Sequence, residues 1–343
     1  GAPDFGPDCV RQGLDLRVVQ HENRDGRHIR PILLMPRPEP NTSFAFIKTR
    51  PRVAFLDDDA GFLDALMNAI PEVSAQFFTE QSRLDEALAR TATARQAEQA
   101  LWASLGNGSS GGHLNGAFAY LSHAGRSGVI SIIVVDHMMP GESGREFCAR
   151  HAGEGLERIL LTGTADSTMA VQAFNAGDID YFIPKQSRGL RNVLVEALQA
   201  TQSKLDCKAS DNIREHVLPQ VMTALSTPDV RQDLMRLMND YSVDEYIFLN
   251  NPLGIAATTG DGHCLWFQLE TKQSLVELAD LMRETGSLPD LVQSVLQCSL
   301  TVNMELAHQF HKAADPASAP LTALGVNGLL SVGVFAMGRC GSR

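Results

Sequence analysis

No two of the six cysteines in this chain (Cys9, Cys148, Cys207, Cys264, Cys298, Cys340) stand as a Cys-x-x-Cys pair. That excludes a zinc ribbon or a thiol-exchange motif and leads us to expect free thiols in a reducing cytoplasm. Also missing are a Walker phosphate loop, a His-Glu-x-x-His helix and any cyclic-dinucleotide motif, so the common sequence signals of a nucleotide hydrolase or a zinc protease are absent. Basic charge is scarce as well. Lys and Arg number 29 against 40 Asp and Glu, for a net charge of -11. A surface of that sign is a poor general partner for nucleic acid or an anionic membrane. The longest apolar stretch, Leu321 to Gly338, is broken by Gly325, Asn327, Gly328 and Gly333, which suits a packed strand or loop better than a membrane span. The first residues lack the basic-then-apolar pattern of a secretory signal. The expected location is therefore the cytoplasm, with no membrane partner.

What is present is ample for a two-domain globular chain: 343 residues, 44% hydrophobic and 20% charged. Residues 1–50 read as an N-terminal extension, with a hairpin signal at Asp25-Gly26 and a proline-marked linker at Pro36, Pro38 and Pro40. From 51 to 204 short apolar runs alternate with helical patterns. Strands are expected at 52–56, 73–79, 131–135, 158–161 and 181–184. The helix after the first strand is expected to be capped by Asp59, and helices follow near 143–151, 166–176 (capped by Asp166, stopped by Gly177) and 188–204. Near-continuous apolar strands separated by helices imply a parallel sheet covered on both faces. One interval is too long. Asp58 and Asp136 lie 78 positions apart, where the intervening elements need roughly 45–50 residues. The excess is read as an insertion at 80–128, an Ala-rich helix followed by a Gly/Ser-rich loop. Residues 205–240 read as a helical connector, with helices at 212–225 and 230–240. Residues 241–343 read as an α+β unit with strands at 245–250, 254–259 and 264–269 and helices near 272–285 and 290–312.

The chemistry concentrates at strand ends. Asp136 closes the run Ile132-Ile133-Val134-Val135. Asp57 and Asp58 follow Val53-Ala54-Phe55-Leu56, Thr162 follows Ile159-Leu160-Leu161, and Lys185 follows Phe182-Ile183-Pro184. A doubly wound parallel sheet binds ligands outside the carboxyl ends of its strands, near the reversal in strand order, so these side chains are expected to converge. Converging carboxylates repel one another unless a cation intervenes. Mg²⁺ suits such a set, taking one or two carboxylates, a backbone carbonyl and waters. A lysine can balance an anionic group as a point charge, and a threonine hydroxyl can hydrogen-bond it. The set is suited to placing a phosphoryl group on a carboxylate.

These residues carry a family resemblance. On the Asp57-Asp58 pair, Asp136-x-x-Met139-Pro140-x-x-x-Gly144, Leu161-Thr162-Gly163 and Lys185, residues 52–204 resemble a two-component response-regulator receiver domain. The resemblance implies an α/β, flavodoxin-like, doubly wound parallel five-stranded sheet of order 2-1-3-4-5, followed here by an α+β output domain. It implies that Asp136 is the phosphoacceptor and that Mg²⁺ is held by Asp57, Asp58, Asp136 and the backbone carbonyl of Met138. Thr162 and Lys185 would bind the phosphoryl group, and Phe182 would be the switch aromatic. The implied partner is a sensor histidine kinase or a phosphotransfer protein, and the implied homodimer face is the fourth helix, fifth strand and fifth helix. Two features depart from the family: Gln186 stands where a cis proline usually follows the lysine, and the 80–128 insertion is atypical.

Other residues fit ordinary roles. His137, beside the acceptor, is read as an exposed loop histidine with a possible effect on phosphoryl lifetime. His263-Cys264 follows an Asp-Gly turn and reads as a strand start rather than a nucleophile. His308 and His311 share a helix face but have no third ligand in view. The helices around Pro228 have the spacing of a helix-turn-helix, yet Asp233 and Asp240 offset Arg231 and Arg236. The favoured output is a protein-interaction or dimerisation module. The alternatives are a DNA-binding transcriptional regulator, of quorum-sensing type on a loose resemblance, or a nucleotide-binding or enzymatic output.

Overall fold

The computed structural model describes residues 21–22, 28–29, 44–106, 113–122, 129–163, 167–304 and 317–339. In chain order the elements begin with β1 (His21–Glu22) and β2 (His28–Ile29), an antiparallel pair flanking Asp25-Gly26. Then come β3 (Ile47–Lys48), β4 (Arg52–Leu56), α1 (Ala60–Ala69), β5 (Ser74–Phe78), α2 (Gln81–Gly106), α3 (His113–Ser122) and β6 (Ile132–Asp136). Next are α4 (Gly144–Arg150), β7 (Glu157–Thr162), α5 (Ser167–Asn175), β8 (Tyr181–Pro184) and α6 (Leu190–Arg214). The chain continues through α7 (Pro219–Ser226), α8 (Pro228–Asp240), β9 (Val243–Asn250), β10 (Leu253–Thr259) and β11 (His263–Glu270). It closes with α9 (Lys272–Glu284), α10 (Pro289–Leu296), β12 (Leu300–Asn303), β13 (Ala317–Leu324) and β14 (Leu330–Arg339).

The chain divides into two compact units. Unit 1 comprises Pro51–Arg95 and Ser127–Lys204; unit 2 comprises Thr42–Arg50, Gln96–Arg126 and Leu205–Arg343. Segments read from the sequence as part of an extension (42–50), of an insertion (96–126) and as a connector (205–240) therefore count with unit 2. Their apolar residues explain this: Phe46, Leu114, Phe118, Val221 and Leu234 are all buried in that unit's main core.

In unit 1 five parallel strands run in the order β5-β4-β6-β7-β8, the expected 2-1-3-4-5. Strands β4, β6, β7 and β8 are buried along their whole length, whereas the edge strand β5 is partly exposed. That is why the inner strands are near-continuous apolar runs. Leu84 and Leu88 of α2, Phe147 and Cys148 of α4, and Ala170 and Ala173 of α5 share one core with Ala54, Ile133, Val135 and Leu160. Helix ends follow local chemistry. Asp59 caps α1, accepting from the Phe62 N–H at 3.1 Å. Helix α4 begins in a reciprocal capping box between Ser143 and Glu146. Helix α5 stops at Gly177, with φ 73°, where the Asp178 N–H reaches the Ala173 carbonyl at 2.9 Å. The expected cap Asp166 lies outside the described residues.

Unit 2 is built on a seven-stranded antiparallel sheet of order β12-β13-β14-β11-β10-β9-β3. Two helix readings need correction here. The expected helix 212–225 is two pieces: α6 runs on to Arg214, and α7 starts afresh at Pro219. Proline suits the first position of a helix and forces its predecessor, here Leu218 at ψ 135°, out of helical conformation. The expected helix 290–312 ends at Leu296. Cys298 turns the chain with φ 55°, and residues 300–303 pair with β13. Residues 305–316, which include His308 and His311, lie outside the described set. Helices α7 and α8 bury Val221, Ala224 and Leu225, and Val230, Leu234 and Met238.

The short strand β3 is strapped to α6. The buried Ser210 hydroxyl oxygen accepts from both the Phe46 and Ile47 N–H groups at 3.1 Å, and Asp206 accepts from the Thr49 hydroxyl at 2.9 Å. Ser210→Ala leaves two buried donors without that acceptor. The expected loss is about 1–3 kcal/mol, read from urea unfolding. Amide exchange should accelerate at Phe46 and Ile47 while the α6 amides stay protected.

Candidate functional site

The strand order reverses at β4, because α1 leads to β5 on one side while β6 pairs on the other. The site lies at the carboxyl ends of these strands. Rungs just past or at the strand ends hold each loop in place: the Asp57 N–H donates to the Phe78 carbonyl at 3.1 Å, His137 to Leu161 at 2.9 Å, and Lys185 to Thr162 at 2.7 Å.

Asp57, Asp58 and Asp136 come together, each offering a carboxylate oxygen within 4.8 Å of the others. Asp57 is 2% and Asp136 4% exposed, while Asp58 faces solvent. The Lys185 ammonium binds two of them, 2.6 Å from Asp57 Oδ2 and 2.9 Å from Asp136 Oδ1. Burial pushes the Asp57 carboxyl up from its usual range, against the pull of Lys185 and of the Asp59 N–H, which donates to Asp57 Oδ1 at 3.1 Å. Burial also works against the lysine charge, but the bonds to Asp57 and Asp136 outweigh it, and Lys185 is shifted up. The lysine is therefore a fixed cation.

Three carboxylates and one ammonium leave two formal negative charges. A divalent cation would balance them, and an all-oxygen donor set is what Mg²⁺ takes. The residues fit such an ion, with Asp57, Asp58 and Asp136 as its holders. Met138 has an exposed side chain, and its backbone N–H donates to Asp136 Oδ2 at 3.1 Å. Thr162 closes β7 fully covered, and Phe182 sits in the core among Leu160, Val135 and Ile179.

Three contacts at this site were not anticipated. Phe62 of α1 lies under Lys185, with the ammonium 4.6 Å from the ring centroid. Its aromatic character at a helix start was the only signal in the sequence. The Lys185–Gln186 bond is trans, since the one cis bond among the described residues is Asn251–Pro252. Gln186 Nε2 instead donates to the Gly163 carbonyl at 2.9 Å, tying the loop after β8 to that after β7. Gly144 had a place in the motif without a reason. A Cβ there would stand 1.9 Å from the Asp136 carbonyl oxygen, so only glycine lets α4 approach the end of β6.

The other candidates do not join this site. His263 begins β11 and lines a cavity of ≈ 820 Å³ in unit 2 with Arg50, Tyr241, Asp244 and Asp261. Cys264 is disulfide-bonded, which corrects the expectation of free thiols throughout and removes it as a nucleophile. On α8 the Arg236 guanidinium lies 3.7 Å from Asp233, so its charges answer one another. No helix among the described residues is long and apolar enough to cross a membrane.

The fold has known counterparts. No protein-family model and no curated protein matches the chain. Among solved structures, it is similar to the response regulator LqsR of Legionella pneumophila, with TM-score 0.60 and 19% identity, covering 88% of this chain and 92% of that one. A CheY-like receiver domain protein from Methanospirillum hungatei aligns at TM-score 0.31 and 16% identity, over 47% of this chain and 99% of its own. The fold assignment rests on the first of these and on the strand order of unit 1. Unit 1 has the flavodoxin-like receiver fold, and the chain shares its overall fold with a response regulator.

Gly144→Ala forces the Asp136 backbone or the start of α4 to move and should lower stability by about 1–3 kcal/mol. Gly163→Ala meets nothing within 4 Å and has no left-handed φ. It should stay within about 0.5 kcal/mol of the parent. Paired urea titrations check the contrast.

Proposed function

We propose that this protein is a response regulator of a two-component phosphorelay, phosphorylated on Asp136 in a Mg²⁺-dependent reaction. The observation that carries this reading is the geometry at the switch point: a buried acceptor carboxylate beside two further acids, with Lys185 bridging Asp57 and Asp136. The overall likeness to a response regulator supports it.

In this reading the donor is a sensor histidine kinase or a phosphotransfer protein. An Asp136 carboxylate oxygen attacks phosphorus, a P–O bond forms, and the P–N bond of the donor phosphohistidine breaks. The imidazole leaves with the electron pair and takes up a proton. Mg²⁺, when bound, offsets charge on the transferring oxygens. Asp57, Asp58 and Asp136 would hold the ion, with the Met138 backbone carbonyl as a further protein ligand. Lys185 releases one carboxylate contact and takes a phosphoryl oxygen, and Thr162 donates its hydroxyl. Because Thr162 is fully covered, its participation requires a local rearrangement that uncovers its hydroxyl. That rearrangement carries the signal, with Phe182 following.

Unit 2 is the output, read as an interaction or dimerisation module. The face made by α5, β8 and α6 is the proposed dimer surface, and the cytoplasm is the proposed location. The added group brings about -1.5 to -2 charge if it behaves like other phosphorylated side chains.

Acetyl phosphate with Mg²⁺ should add one phosphoryl mass to the intact chain. Asp136→Asn should abolish the addition, and chelation of Mg²⁺ should slow it by at least about tenfold, since metal charge stabilisation is worth several kcal/mol. Full-stoichiometry labelling of Asp136→Asn in the mass spectrum would refute the acceptor assignment.

A further inference from the structure

We infer that Phe62 is a positioning residue for phosphoryl transfer, holding the Lys185 ammonium over the acid site. The inference rests on the phosphoacceptor reading of Asp136 and adds to it a residue outside the motif. The Lys185 ammonium has three N–H groups. It is 2.6 Å from Asp57, 2.9 Å from Asp136 and 4.6 Å from the centroid of the Phe62 ring. The lysine side chain is 19% exposed. The ring thus forms the apolar wall of a nest whose other two walls are charged. A cation over an aromatic face is attracted by the ring's quadrupole, more strongly as water is excluded.

One turn builds two of the parts. The Asp59 N–H donates to Asp57 Oδ1 at 3.1 Å, and the Asp59 side chain accepts from the Phe62 N–H at 3.1 Å. Asp57, one of the two acids that face the cation, and the ring that backs the lysine are therefore set by one capped helix start. Their relative placement is local. During transfer, Asp136 gains a P–O bond as the donor loses its P–N bond, and Lys185 changes from a carboxylate to a phosphoryl oxygen as partner. The ring is the partner that stays constant through that change. Without it the ammonium has two acids on one side and solvent on the other, and a flexible four-carbon stem that water can draw outward.

The test uses the full chain, acetyl phosphate as donor and saturating Mg²⁺, with phosphoryl incorporation followed by mass. Phe62→Leu keeps an apolar side chain without a π face and should slow incorporation about threefold to tenfold. Phe62→Tyr restores the face and should recover most of the rate. In a Lys185→Ala background, Phe62→Leu should add less than about a twofold loss, because its effect runs through the lysine. An independent readout uses chain labelled at lysine Cε. The Lys185 ε-methylene protons should be shifted upfield by the ring in the parent and in Phe62→Tyr, and should lose that shift in Phe62→Leu. Unchanged rates in Phe62→Leu, an equal loss with or without Lys185, or an unshifted Lys185 signal in the parent would each overturn the positioning role. Absence of any phosphoryl uptake by the parent would instead overturn the acceptor reading, and the positioning role with it, even if the ring shift is seen.

Discussion

One ammonium organises this molecule's chemistry. Lys185 stands at the end of β8, and its two carboxylate partners come from the ends of β4 and β6. Two acids at 2% and 4% exposure would be costly to bury as unpaired charges. Their pairing with a single cation makes them tolerable and still leaves the cluster with excess negative charge. That excess is what a divalent cation would offset. The ammonium reaches both acids because the backbone ladder continues past the strands. The Lys185 N–H on the Thr162 carbonyl and the His137 N–H on the Leu161 carbonyl hold the loops in register.

The surrounding fold supplies clearance and rigidity for that arrangement. Gly144 allows α4 to begin against the Asp136 carbonyl, and the Ser143–Glu146 capping box fixes where the helix starts. At the usual proline position, Gln186 supplies a side-chain donor to the neighbouring loop. The lysine is thus placed by hydrogen bonds, without the constrained ring that the resembled family usually carries there. Unit 2 is made differently. Its sheet is antiparallel and meandering, and it recruits helices and an edge strand from three separate stretches of the chain.

Much of unit 1 was legible because its signals are local or periodic. Apolar runs of strand length, a carboxylate or lysine at each carboxyl end, and Asp59 and Gly177 at helix boundaries can all be read without knowing the partners. Unit 2 was less legible because its boundaries depend on packing. Leu218-Pro219 broke a helix whose apolar spacing looked continuous. The run after Leu296 became a strand because β13 offered pairing, and nothing in the 290–312 pattern announces that partner. The Phe46 and Ile47 amides found Ser210, 164 and 163 positions away. Contacts of that separation leave no mark in composition or period.

The sequence alone determined the order of strands and helices in unit 1, the acids and lysine at their ends, and the sign of the charge they present. It could do so because strands that run parallel bring their carboxyl ends to the same edge of the sheet. Tertiary structure alone decided which stretches of chain build unit 2, how Lys185 is held with Gln186 after it, and that Phe62 backs the ammonium. Each of these depends on distances between residues far apart in the chain, and those distances exist only once both cores have closed.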